Sequence, residues 1–209
     1  MYLTSHLSRC HLFLFLFTML LLPLSTEAAD PKFRRPLNTV KTPAFSAYYD
    51  HDTGPGAKTY YCGTDTVYHD HKGTDFRADI GTPVYAAATG GLYHWYNNCD
   101  TYGYFGSQCG GGFGNHVRID HEGNLTDGIG WVSIYAHMKY NTASGVSSVY
   151  CGSKIGETGS SGNSTGPHLH FEVRKYSYPN NDPFSGPCSG STSFWVNQSN
   201  GVPLAQCQS

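Results

Sequence analysis

Gly166-Pro167-His168-Leu169-His170-Phe171-Glu172-Val173 is the stretch that decides how this chain is read. Successive side chains of a β-strand point to opposite faces of its sheet. Leu169, Phe171 and Val173 then make one apolar face suited to a core, while His168, His170 and Glu172 share the other. Packing does not explain two imidazoles side by side on a non-core face. A ligand or catalytic pair does, with a hydrogen-bonded structural pair as the bland alternative.

Outward from this stretch, similar short runs recur at Val84 to Ala88, His116 to Asp120 and Trp131 to His137, punctuated by Gly, Pro and Asn. No window of helical length carries a 3.6-residue period, so the chain reads as all-β, a single domain of antiparallel sheet with long loops. Within Trp131-Val132-Ser133-Ile134-Tyr135-Ala136-His137-Met138 the alternation assigns Val132, Ile134 and Ala136 to the core. Ser133, Tyr135 and His137 go to the opposite face. A third group, His71-Lys72-Gly73-Thr74-Asp75, sets an imidazole and a carboxylate four residues apart, both of them ligand types that zinc accepts. That spacing is common by chance and counts only beside the other two groups.

The ends of the chain have their own compositions. Residues 1–29 read as a signal peptide, with Arg9, an apolar run from Leu12 to Leu22, Pro23, and small residues near Ala28 and Ala29. The run is far shorter than the about 20 apolar residues that span a bilayer. Residues 30–47 form a polar lead-in and residues 185–209 a Gly/Ser/Asn-rich, cysteine-closed tail around a body at 48–184. With Lys plus Arg at 13 against 15 acidic residues, there is no clustered basic surface for nucleic acid and no basic amphipathic helix for a membrane. A secreted, soluble, monomeric chain is expected.

Beyond Cys10 in the leader, six cysteines remain: Cys62, Cys99, Cys109, Cys151, Cys188 and Cys207. An even count in an exported chain suggests disulfides, and the absence of a C-x-x-C pair argues against a cysteine zinc site. Proximity favours Cys99 with Cys109 and Cys188 with Cys207, leaving Cys62 with Cys151, although six cysteines allow 15 connectivities.

Taken in order, the motifs resemble the lysostaphin-type zinc endopeptidases, which cut peptide bonds in bacterial peptidoglycan. The resemblance runs through His71-Lys-Gly-Thr-Asp75-Phe, Gly81-Thr-Pro-Val-Tyr-Ala86, Gly114-Asn-His-Val-Arg-Ile-Asp-His121, Tyr135-Ala-His137-Met, and Gly159 to Glu172, and it ends at Asp182-Pro183-Phe184. It implies a groove carrying one zinc ion held by His71, Asp75 and His170. It also implies that His137 and His168 stay unligated as catalytic groups, acting on a zinc-activated water and on the tetrahedral oxyanion. Glu172 receives no ligand role and stands as an outer partner of a ligand. The remaining histidines, His51, His69, His94, His116 and His121, are assigned surface or structural roles.

Two segments depart from the pattern: an enlarged loop from Gly91 to Gly112 enclosing Cys99 and Cys109, and another from Glu122 to Gly130. Loops beside a groove are where substrate choice is set. The competing reading is a non-catalytic zinc-binding or wall-binding module on the same fold, since fold alone does not establish activity. Inactive relatives lack one or more of the five positions, and here all five are occupied.

Overall fold

The computed structural model describes residues 30–52, 54, 56–65, 69–121, 130–140, 147–175, 180–198 and 201–208. The expected signal peptide and most of the loop from Glu122 to Gly130 lie outside them.

The chain is almost all-β. Its strands are β1 (Phe45–Ala47), β2 (Ala57–Lys58), β3 (Thr64–Asp65), β4 (Thr74–Arg77), β5 (Pro83–Tyr85), β6 (Gly90–Tyr96), β7 (Asn115–Asp120), β8 (Trp131–Met138), β9 (Ser148–Val149), β10 (Lys154–Glu157), β11 (His168–Lys175) and β12 (Asn180–Asn181). One antiparallel sheet runs β1-β4-β11-β8-β7-β6-β9, with β12 added to β11 where β4 has ended; β5 with β10 and β2 with β3 form two small ribbons. Among the described residues no helix is long and apolar enough to cross a membrane.

One face of the main sheet carries the core. Leu169, Phe171 and Val173 of β11 lie beside Tyr135 of β8 and Val117 and Ile119 of β7, all buried. Here β8 corrects the expectation. Tyr135 and Ser133 pair with Phe171 and Val173 and therefore face the core, so Ile134 and Ala136, opposite Glu172 and His170, face the cleft. Tyr135 tolerates complete burial because its hydroxyl accepts a hydrogen bond from the Ala87 amide at 2.7 Å and meets Ser133 Oγ at 3.0 Å.

The polar lead-in and the Gly/Ser/Asn-rich tail also close this core. The lead-in buries Phe33 and Leu37, and the tail buries Trp195. Phe33 and Trp195 bridge in parallel, and the Trp195 ring stacks on Phe171 at 5.6 Å between centroids. Because the tail returns across the body, the expected local pairing of its cysteines fails. The disulfides are Cys99–Cys109, as expected, but also Cys62–Cys188 and Cys151–Cys207. Cys188 is brought to the β2–β3 ribbon by its amide, which donates to Tyr60 O at 2.9 Å. The tail is thus stapled to two separate parts of the body rather than closed on itself. Three disulfides are the pattern of an oxidising compartment.

Candidate metal centre

Strand register builds the centre. Asp75 of β4 lies directly opposite His170 of β11, so both side chains leave the same face. His71 precedes β4 and joins them through the Gly73 turn. A Cβ on Gly73 would lie 2.7 Å from His170 Cε1 and 2.7 Å from the Phe171 carbonyl, so only glycine lets the chain pass this close to the imidazole. His71 Nε2, Asp75 Oδ1 and His170 Nδ1 form a triangle with sides of 3.1, 3.2 and 2.8 Å. Donors on a tetrahedral zinc ion with bonds of about 2.0–2.1 Å stand about 3.3 Å apart. The triangle therefore fits one face of such a site with little movement, and among the described residues it is the group able to hold a metal.

Outer partners orient each imidazole. His71 Nδ1 donates to the Tyr48 carbonyl at 2.7 Å, which leaves Nε2 bare toward the triangle. His170 Nε2 donates to Glu172 Oε1 at 2.9 Å, which turns Nδ1 toward the triangle, and Arg174 Nε in turn holds Glu172 Oε2 at 2.6 Å. Glu172, the outer partner expected, is buried, and despite that burial His170 and Arg174 keep its carboxyl below the usual range. Burial also opposes charge on Asp75, yet His71, His168 and His170 hold its carboxyl well below the carboxylate range. The His170 ring is disfavoured as a cation by burial, but the Asp75 and Glu172 carboxylates prevail and raise it to about 10. Two ring nitrogens and a carboxylate oxygen thus converge on a point that demands positive charge, either the proton that His170 Nδ1 shares with Asp75 or a metal ion.

His137 and His168 border this triangle. By simple alternation from Tyr135, His137 would enter the core; a bulge prevents it. Between Asn115 and Val117 the β7–β8 register shifts, and His137 adopts a left-handed φ of 56°, so that Met138 enters the core and His137 the cleft. The His137 amide donates to the Phe113 carbonyl and its Nδ1 to the Ser161 carbonyl, each at 2.8 Å. His168 Nδ1 donates to the Gly166 carbonyl at 2.8 Å. Both rings therefore turn Nε2 to the cleft, that of His168 lying 3.6 Å from Asp75 Oδ2. Burial, with the nearby His168 and His170, pushes His137 down to about 3, so it is neutral across the physiological range.

Above the triangle opens a cleft of about 330 Å³, lined also by His69, Lys72, Phe105, Phe113, Asn163 and Thr165. One wall is the loop closed by Cys99–Cys109. It is laid onto the 159–166 segment by backbone hydrogen bonds, Gly103 N to Ser160 O at 2.6 Å and Tyr104 N to Gly162 O at 3.1 Å. Asn163 Oδ1 accepts from Gly106 N at 2.7 Å. At its tip Tyr102, Tyr104 and Phe105 are exposed.

The five residues singled out in sequence, His71, Asp75, His137, His168 and His170, are thus brought to one cleft. Of the histidines set aside, His69 lines the cleft rim, whereas His116 is buried among His94, Tyr96 and Phe113, with Nε2 unpartnered. Sequence reading missed Phe113, whose backbone and ring both shape the site, and the carbonyls of Tyr48, Ser161 and Gly166 that orient the rings. Backbone groups leave no residue-type signal. Phe113, between Gly112 and Gly114, has no period to announce it.

The model of Peptidase family M23 matches residues 69–183, and the chain belongs to that family. It is 38% identical over 112 residues to the DD-carboxypeptidase/endopeptidase Mpg of Neisseria meningitidis serogroup B, a match covering 53% of this chain and 21% of that protein. It is 32% identical over 102 residues to the peptidoglycan DD-endopeptidase ShyC of Vibrio cholerae, covering 49% and 19%. The chain thus spans about a fifth of the length of these curated relatives. Among solved structures it is similar to the antimicrobial peptidase lysostaphin from Staphylococcus simulans, at 26% identity and a TM-score of 0.47, covering 74% of this chain and 53% of that one. A catalytic domain of the prophage-encoded M23 protein EnpA from Enterococcus faecalis is 26% identical with a TM-score of 0.45, covering 74% and 94%.

Proposed function

We propose that this protein is a secreted zinc-dependent endopeptidase that hydrolyses peptide bonds in the stem peptides or cross-bridges of bacterial peptidoglycan. Residues 1–29 serve as the signal peptide, 48–184 as the peptidase domain, and 30–47 and 185–209 as its lead-in and tail. The observation that carries the reading is the convergence of three donors, their rings fixed from behind, beside two imidazoles whose Nε2 atoms border the same cleft. His71, Asp75 and His170 would hold one zinc ion. Zinc there supplies Lewis acidity toward a scissile carbonyl and an attacking water.

The chain's own groups do the rest. The Nε2 of His137 or His168 takes a proton from the water, and the N–H so formed donates to the oxygen of the tetrahedral intermediate and then to the leaving amine. Ser161 and Gly166 hold those rings by their carbonyls, so neither needs to be ordered when substrate arrives. The carboxylates of the cleft are engaged, Asp70 by Lys72, Asp75 by His71 and His170, and Glu172 by His170 and Arg174, rather than set apart to flank a sugar linkage, the usual requirement for glycan hydrolysis. Digestion of purified peptidoglycan followed by mass spectrometry tests the reading. Fragments with new amino and carboxyl termini and intact disaccharides are expected; new reducing sugar ends on uncut peptides would overturn it.

A further inference from the structure

The cleft face of the sheet carries a cation that the proposed chemistry does not use. Arg118 of β7 stands between His94 of β6 and Ile134 of β8 in the strand register, on the face that also holds Glu172. Its guanidinium and that of Arg174 lie over the same ring, each 5.7 Å from the Phe113 centroid. Arg174 is neutralised by Glu172. Asp120 leaves the same face two residues along β7, but among the described residues no ion pair joins it or Glu172 to Arg118, whose buried Nε lacks a hydrogen-bond partner. The neighbouring His94 and His116 rings are held neutral by burial first and by the Arg118 charge after it, so they add no second positive charge beside it. A guanidinium whose buried Nε lacks a partner, already stacked on an aromatic ring, is preorganised for a carboxylate, whose fork geometry it matches.

Phe113 connects this cation to the centre. Its ring lines the cleft and lies 6.1 Å from the His170 ring and 5.7 Å from Arg118 Cζ. At most about 12 Å, or three to four residues of extended peptide at about 3.3 Å each, therefore separates the guanidinium from the ligand ring.

We propose that Arg118 is a specificity-determining residue that receives a free carboxylate of the substrate peptide a few residues from the scissile bond, selecting acidic stem peptides over uncharged ones. The proposal rests on the peptidase reading, and its test is arranged so that the two can fail separately. Two synthetic D-alanyl peptides differing only in free carboxylates or carboxamides are titrated calorimetrically into the zinc-loaded protein, and their turnover is measured in parallel. The wild type is expected to bind the acid about 10- to 100-fold more tightly, the range of a charge-assisted hydrogen-bonded pair. Arg118→Met, which keeps the aliphatic packing on Phe113, should bind both peptides alike while retaining zinc content and thermal midpoint. Arg118→Lys should recover part of the preference. Equal wild-type affinity for the two peptides would overturn the proposal, as would an equal loss for both in Arg118→Met. If the acid preference stands and neither peptide is cut, the carboxylate receptor survives and the peptidase reading falls.

Discussion

The floor of the cleft and its rim are built by opposite means. On the floor, side chains from β4, β8 and β11 converge, and each imidazole has a named group behind it: Tyr48, Glu172, Ser161 or Gly166. Asp75, His137, His168 and His170 are all buried, whereas Tyr102, Tyr104 and Phe105 on the rim are 73, 70 and 78% exposed. The rim loop keeps its place through a disulfide and main-chain hydrogen bonds to residues 159–166, which leaves its side chains uncommitted. Metal chemistry needs donors held in place before the ion and substrate arrive, and recognition of a polymer needs surface left free. Floor changes should therefore act on metal and turnover, and rim changes on affinity.

The largest break is expected from His71→Ala, Asp75→Ala or His170→Ala. Each should lose stoichiometric zinc by metal analysis, with turnover falling to that of metal-stripped protein. Next come His137→Ala and His168→Ala, which should keep the zinc and lose about 10²–10³ in kcat, the cost of one oxyanion-type contact. Full activity of the double variant would show that neither ring takes part. Loss of metal from His168→Ala together with its retention in His170→Ala would show the two roles exchanged.

Glu172→Gln separates orientation from ligation. Without the carboxylate behind His170 Nε2, zinc affinity is expected to drop about 10- to 100-fold, as for other partners of ligating histidines, while the fold persists. An unchanged affinity in competition with a chelator would mean that Glu172 serves Arg174 alone. The smallest effect belongs to the rim. Cys99→Ser with Cys109→Ser opens a loop whose ends are 10 residues apart, which costs about 2–3 kcal/mol of stability. KM should rise while zinc affinity stays constant; a fall in zinc affinity would show that the floor depends on the rim.

The contrast also explains what could be read from the sequence. β11 was legible because its apolar and chemical residues alternate without interruption and both faces are used. β8 was not, because Ser133 and Tyr135 look polar, yet satisfy each other in the core, and because the bulge that turns His137 outward is a backbone event. His137 was drawn to the cleft by alternation from the wrong starting face. The triangle donors were identifiable from residue type and motif order, but their outer carbonyls were not. The cysteine pairing misled because proximity along the chain carries no information about a tail that crosses the body to Phe33 and Tyr60. For the same reason the lead-in read only as polar, although Phe33 and Leu37 are among the largest fully buried side chains.

The central claim is that three side chains and no others hold one catalytic ion. Diffraction from zinc-loaded crystals, with anomalous differences collected on both sides of the zinc absorption edge, tests it most directly. A single peak is expected, bonded to His71 Nε2, Asp75 Oδ1 and His170 Nδ1, with His137 and His168 beside it and unbonded. A peak ligated by His137 or His168, or one lying outside the cleft, would contradict the account.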